Sequence, residues 1–271
     1  MKGSESVGRP DDAFEGRLRS LDTTLMSAIY PPGARGDAAS LLALHAACRD
    51  RYPTFAYLEI GSHLGASLQS FVADPRCTEI TSIDPRPESQ PDDRIGTAYY
   101  SGNSTERMLE DLRQVPGADL DKLRTLEASS ENLSRADVQG SPALCFIDGE
   151  HTHAAALRDA RFCRQVMGDA GAIVFHDRRI VCSAIADFIK DLASGGASYV
   201  AYPLTSEHFV VELGEATLLR SPVVRGRRLR LRRFLWKLVT VVAGPVRGAR
   251  AYLVAEAAAG RLGGRIKRRL M

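Results

Sequence analysis

From Phe55 onward, short apolar runs alternate with stretches of helical periodicity. The runs are FAYLEI (55–60), TEITSID (78–84), KLRTLEA (122–128), ALCFID (143–148) and GAIVFHD (171–177). FAYLEI, ALCFID and GAIVFHD are mostly apolar, as strands buried on both faces of a parallel sheet are. Between and after them lie LGASLQSFV (64–72), STERMLEDLRQ (104–114), SENLSRA (130–136), AAALRDARFCRQVM (154–167) and IVCSAIADFIKDL (180–192), all expected as helices. Five strand and helix alternations predict an α/β fold, a doubly wound parallel sheet. SYVAYPL (198–204) and HFVVEL (208–213), joined by Thr205-Ser206-Glu207, close it with an antiparallel hairpin. Upstream, a helix is expected over Ala13 to Ile29, then a break at Tyr30-Pro31-Pro32-Gly33. A second helix follows from Asp37 to Arg49, with Asp37 as N-cap. Three regions result: N-terminal helices over 1–52 as a lid or cap for substrate, a core over 53–214, and a tail over 215–271.

Two of the strands end on chemistry. CFIDGEHTH (145–153) and AIVFHD (172–177) stop on Asp or His, so carboxylate and imidazole groups emerge together at one sheet edge, where open α/β sheets bind ligands. In YLEIGSHLGASL, residues Glu59, Gly61, Ser62 and Gly65 stand at the end of the first strand and the start of the following helix. Glycines there let the backbone approach a ligand, but the GxxxG spacing argues against a dinucleotide pyrophosphate, which calls for GxGxxG. The second strand ends on Asp84, whose carboxylate can accept from two ribose hydroxyls. The third runs into Glu127-Ala128-Ser129-Ser130, which can offer a hydroxyl to an adenine. Asp148 and His176-Asp177, at the ends of neighbouring strands, can converge on one oxygen-preferring ion such as Mg²⁺ or Mn²⁺.

Over about residues 37–214 the order of Glu59, the glycine turn, Asp84, LEASSENL and the closing hairpin resembles the class I S-adenosylmethionine-dependent methyltransferases. FIDGEHTHAAALRD followed by GAIVFHD is similar to the small-molecule and sugar O-methyltransferase group within that class. The resemblance implies a seven-stranded Rossmann-like sheet. It also implies S-adenosyl-L-methionine bound by Glu59, Gly61, Ser62, Gly65, Asp84, Ser129, Ser130 and Asp148, and methyl transfer to a hydroxyl of a saccharide or related small molecule. The group's metal is held by an Asp at the fourth strand and an Asp-Asp pair at the fifth, which carries over to Asp148 and Asp177, with His176 in place of the first member of the pair. For the general base, an imidazole suits deprotonation of an alcohol near neutral pH. The family's recurring His points to His151, and its acid two residues after the metal Asp points to Glu150. His153 is expected in the first turn of a helix, in solvent, and His63 and His208 as incidental. Arg178 and Arg179 follow the HD pair and fit an anion site, a helix cap or water equally.

Charge adds a second theme. The net charge of +3 divides into 14 Lys and Arg against Glu256 alone over 225–271, and 22 bases against 32 acids elsewhere. Two helices fit this tail, the first with Leu231, Phe234, Leu235, Leu238, Val239 and Val242 near helical spacing beside Trp236. Such a segment suits an anionic membrane surface, or packing on the acidic body of its own or a sister chain in a homodimer. Nucleic acid ranks last, since no aromatic stacking set accompanies the arginines. Five scattered cysteines read as reduced, cytoplasmic thiols. No secretory h-region or spanning helix is expected, which places the chain in the cytoplasm or peripherally at the inner membrane face. Two other functions compete: an RNA methyltransferase guided by the tail, and a non-catalytic, membrane-tethered adapter that keeps the fold.

Overall fold

A computed structural model of the chain describes residues 10–29, 35–205, 207–214 and 218–227. All seven strands expected from the sequence are present: β1 (Phe55–Ile60), β2 (Cys77–Ile83), β5 (Leu123–Leu126), β6 (Pro142–Ile147), β7 (Gly171–Phe175), β8 (Tyr199–Pro203) and β9 (Phe209–Leu213). They form one sheet in the order β5-β2-β1-β6-β7-β9-β8, parallel except for β9, which runs antiparallel to β7 and β8. The order reverses direction between β1 and β6. That reversal is where an open α/β sheet leaves a crevice beyond its strand ends.

Successive strand residues face opposite sides, and each side has its own cover. Leu58, Cys145, Ile147 and Phe175 pack against α5 (His153–Val166) and α6 (Cys182–Ser194). Tyr57, Leu144, Phe146, Val174 and Val210 face the other layer, made by α2 (Arg35–Arg51), α3 (Gln69–Val72) and α4 (Thr105–Leu112). The buried side of α2, from Leu41 to Cys48, is therefore part of the core.

Local chemistry shortens several expected helices. The first is α1 (Pro10–Arg19), which stops because Leu21 adopts φ 56°; a 3₁₀ turn, Thr23–Met26, follows under an Asp22 cap. Asp37 lies inside the first turn of α2 rather than capping it. Positive φ at Gly61, His63 and Gly65 keeps most of 61–68 out of a helix and leaves only α3. Over 130–136 Ser134 hydrogen-bonds locally, forming a capping box with Asp137, and two 3₁₀ turns replace a helix. The segment 86–102, where the hydrophobic pattern marks no element, carries a hairpin of β3 (Ser89–Asp92) and β4 (Gly96–Tyr99). A last short helix, α7 (Pro222–Arg227), packs on α2. The Tyr30-Pro31-Pro32-Gly33 break, Ser206 and the expected helices of the basic tail lie outside the described residues. Among those described, no helix is long and apolar enough to cross a membrane.

Beneath α2, His45 is fully buried, stacked on Phe71 with ring centroids 4.2 Å apart. Its Nε2 lies 2.6 Å from Asp74 and its Nδ1 3.1 Å from the Ser70 hydroxyl. A neutral ring satisfies both, Nε2–H donating to Asp74 while Nδ1 accepts from Ser70. Arg49 Nη1, 3.4 Å from Asp74, balances the carboxylate. Burial pushes the imidazole below its ordinary value of 6.5, outweighing the pull of Asp74. The unfolded chain then binds the extra proton first. Stability is therefore full above about pH 6.5 and declines as pH falls below it. Urea unfolding at pH 7.5 and 5.0 is expected to show this loss, and His45→Asn to flatten it; equal slopes in the two proteins would refute the assignment.

Candidate active site

At the carboxyl ends of β1, β2, β6 and β7 the sheet opens into a cavity of about 440 Å³. Its floor is the meeting of β1 and β6. The Gly61 N–H donates to the Ile83 carbonyl and the Asp148 N–H to the Ile60 carbonyl, each at 2.8 Å. This leaves no room for a side chain at position 61, where φ is 87° and a Cβ would stand 2.3 Å from the Asp148 carbonyl oxygen. Asp84, at the end of β2, is held facing the cavity by the N–H groups of His63 and Arg86, both at 2.8 Å. These two residues adopt φ of 45° and 57°. Non-glycine residues rarely do so, and such backbone concentrates at functional sites. Ser129 and Ser130 form another wall. The Ser129 hydroxyl is buried with no partner among the described residues, whereas that of Ser130 donates to Asp159.

Thus Gly61, Asp84, Ser129, Ser130 and Asp148 share one cavity. Glu59, Ser62 and Gly65 lie behind it and hold the turn. Burial pushes Glu59 up to about 8 while it accepts from Tyr57 and Ser67. Ser62 bonds Ser82, and Gly65 lets the turn settle on Met108 and Leu112.

The acid and imidazole edge follows from strand register. Ile147, Phe175 and Phe209 are paired across β6, β7 and β9, so the next row holds Asp148, His176 and His208, all on the α2 side of the sheet. His176 Nδ1 stands 3.0 Å from Asp148 Oδ1 and 3.8 Å from Asp177 Oδ1. His151 Nε2 is 3.5 Å from both Asp148 Oδ1 and Asp177 Oδ2. Burial opposes charge on Asp148, His151 and His176, but the mutual attraction is larger. The two carboxylates push His176 up to about 10 and raise His151, and the two imidazoles hold Asp148 below its ordinary range.

The donor set suits a small divalent cation. His176 Nδ1 is near Asp148 but is not aligned for a hydrogen bond with any of the described residues. In an octahedral shell with ligands at about 2.1 Å, adjacent donor atoms stand ~3 Å apart. The separations of 3.0–3.8 Å are near that figure.

Of the base candidates, Glu150 and His151 both line the cavity, with Glu150 accepting from the Thr152 hydroxyl at 2.7 Å. His153 begins α5, with its ring toward Ser183 and Asp187. Arg178 is buried and donates to the Thr205 carbonyl, which anchors the loop after β7. Asp92 went unnoticed in the sequence. It comes from the β3–β4 hairpin, its side chain is fully buried, and its Oδ2 lies 3.2 Å from His151 Nδ1. Further bonds tie the hairpin to the same stretch, Asp93 N–H to the His151 carbonyl and His153 N–H to the Asp93 carboxylate, both 3.0 Å. The turn residues Pro91-Asp92-Asp93 and Gly96 were the available signal for the hairpin, though not for its contact with His151.

Residues 58–178 match a family described as Methyltransferase domain. No curated protein matches the chain. Solved structures similar to it include a calicheamicin methyltransferase, 16% identical, covering 77% of this chain and 94% of its own, with a TM-score of 0.49. Another is an O-methyltransferase from Bacillus cereus in complex with SAH, 12% identical, covering 77% and 94%, with a TM-score of 0.47.

Proposed function

We propose that this chain, a class I S-adenosylmethionine-dependent methyltransferase, methylates a hydroxyl oxygen of a saccharide or related small molecule with the help of Mg²⁺ or Mn²⁺. The observation that carries this reading is the convergence of Asp148, His151, His176 and Asp177 on one edge of the cavity whose other walls hold Asp84, Ser129 and Ser130.

S-adenosylmethionine supplies an electrophilic methyl on a sulfonium. The cavity fits it: Asp84 can accept from ribose hydroxyls, the Ser129 hydroxyl has no partner among the described residues, and Gly61 keeps the floor clear for close approach. Glu59, Ser62 and Gly65 act on the cofactor through the turn they brace. Asp148, Asp177 and His176 would hold the ion, which supplies Lewis acidity toward the acceptor hydroxyl. His151 takes the proton. With Nδ1–H donated to Asp92, its Nε2 lone pair faces the cluster, and Asp92, Asp148 and Asp177 stabilise the imidazolium that forms. The oxygen–carbon bond forms as the sulfur–carbon bond breaks, and the proton stays on His151. Glu150 is the second candidate for this step. The basic tail at 225–271 is proposed to meet an anionic membrane surface or a sister chain, in a protein of the cytoplasm.

The test is transfer of labelled methyl to a panel of saccharide and phenolic acceptors, with the ion removed by EDTA and restored. Activity on a hydroxyl acceptor should vanish in chelator and return with Mn²⁺ or Mg²⁺. Full activity in chelator would end the metal role, and methylation of RNA alone would overturn the acceptor class.

A further inference from the structure

His176 belongs to two ligand sets. On one side stands Asp148; on the other, one strand further along the same row, stands His208 at the start of β9. The His176 and His208 ring centroids are 5.2 Å apart. Over this pair the first turn of α2 brings Asp37, a half-buried carboxylate. Asp37, His176 and His208 each offer a ligand-type atom, and those atoms all lie within 4.8 Å of one another.

His208 is the independent sign of a missing partner. The residue is 1% exposed, and among the described residues neither Nδ1 nor Nε2 has a hydrogen-bond partner. It rests edge-on against Phe146, with centroids 5.5 Å apart. Buried polar atoms almost always find partners, and an imidazole has two nitrogens to satisfy. An apolar residue would fill the same space beside Phe146 without that penalty. The ring is thus placed where a cation held with Asp37 and His176 would give one nitrogen its partner.

We infer that Asp37, His176 and His208 form a second divalent-cation site, distinct from the Asp148–Asp177 pair and suited to a borderline ion of the Zn²⁺ or Co²⁺ class. Two imidazoles and one carboxylate favour such ions over Mg²⁺, which prefers oxygen. Once its N–H proton is released on metal binding, His176 as an imidazolate offers a lone pair on each ring nitrogen and can bridge both sets. The site joins the first turn of α2 to the ends of β7 and β9, and an ion there would fix the N-terminal layer against the edge of the cavity. This inference does not depend on the acceptor or on methyl transfer.

The experiment is metal stoichiometry on the full chain. Protein stripped with chelator is dialysed against Co²⁺, and bound metal is counted by mass spectrometry and followed by visible absorption. The wild type should hold two equivalents. His208→Ala and Asp37→Asn should each hold one, and the Asp148→Asn/Asp177→Asn double variant should keep the other, with the spectrum of a nitrogen-ligated site. Asp37 is half-buried at the start of a helix, so its variant tests the site even where His208→Ala fails to fold. If both single variants retain wild-type stoichiometry and spectrum, the second site is overturned. A wild type with one ion, lost in the double variant and unaffected by His208→Ala, also overturns it while leaving the first site standing. Absence of any bound ion in the wild type overturns both.

Discussion

Asp148→Asn is expected to lower kcat/KM for methyl transfer by roughly 10²- to 10⁴-fold, about 3–5 kcal/mol of transition-state stabilisation, while the protein stays folded. The substitution keeps the side chain's shape and removes only its charge. Yet that charge makes the shortest contact with His176, at 3.0 Å, and lies 3.5 Å from His151, as Asp177 also does. Without it the carboxylate that chiefly holds His176 and His151 above their ordinary range is gone, and both fall. One of the two acidic donors to the proposed ion disappears at the same time. The backbone N–H of Asp148 still donates to the Ile60 carbonyl, so the junction of β6 with β1 survives. Kinetics across a range of Mn²⁺ and Mg²⁺ concentrations, with thermal unfolding as the control, would check this. Near-wild-type turnover in the amide variant would remove Asp148 from the reacting centre.

Asp148 was legible in the sequence because a strand buried on both faces is written as an unbroken apolar run, and a charge at its end has few places to go. Gly61 was legible from the glycine turn that follows FAYLEI, and Asp84, one residue past Ile83, from its place at the end of the second strand about 20 residues beyond that turn. Asp92 was not legible. It sits in a strand reading Ser-Gln-Pro-Asp, with no apolar pattern, and it acquires meaning only through a contact with His151, 59 residues away. His208 failed for a related reason. It could be placed before the last strand, but its row beside Asp148 and His176 depends on β9 pairing with β7 rather than β8 doing so, a choice of sheet order that local pattern does not carry. The helix expected over 64–72 was cut to α3 by positive-φ positions, and the one over 130–136 was overridden by Ser134, whose side chain competes for backbone groups.

Gly61→Ala should damage both stability and cofactor binding, and the comparison with Gly65→Ala makes the cause visible. Both glycines have positive φ, 87° and 83°, so an alanine at either position carries a similar backbone strain of about 1–3 kcal/mol. They differ in what the new methyl meets. At Gly65 the nearest atoms belong to the side chains of Met108 and Leu112, at 3.0 and 3.2 Å, which can turn aside. At Gly61 they are the Asp148 carbonyl oxygen and carbon and the Gly149 Cα, at 2.3, 2.5 and 2.5 Å. Backbone there cannot rotate away, because Ile60 and Ile147 are paired in the parallel ladder directly beneath. The strand ends must part, which adds about 1–3 kcal/mol of overpacking and moves Asp148 off its row with His176. Gly61→Ala is therefore expected to lose ~2–6 kcal/mol of stability and at least ~10²-fold in affinity for S-adenosylmethionine, well beyond the loss in Gly65→Ala. Urea unfolding and calorimetric titration of the two variants measure the difference, and equal losses would show that close backbone approach at β1 and β6 does not set the cofactor site.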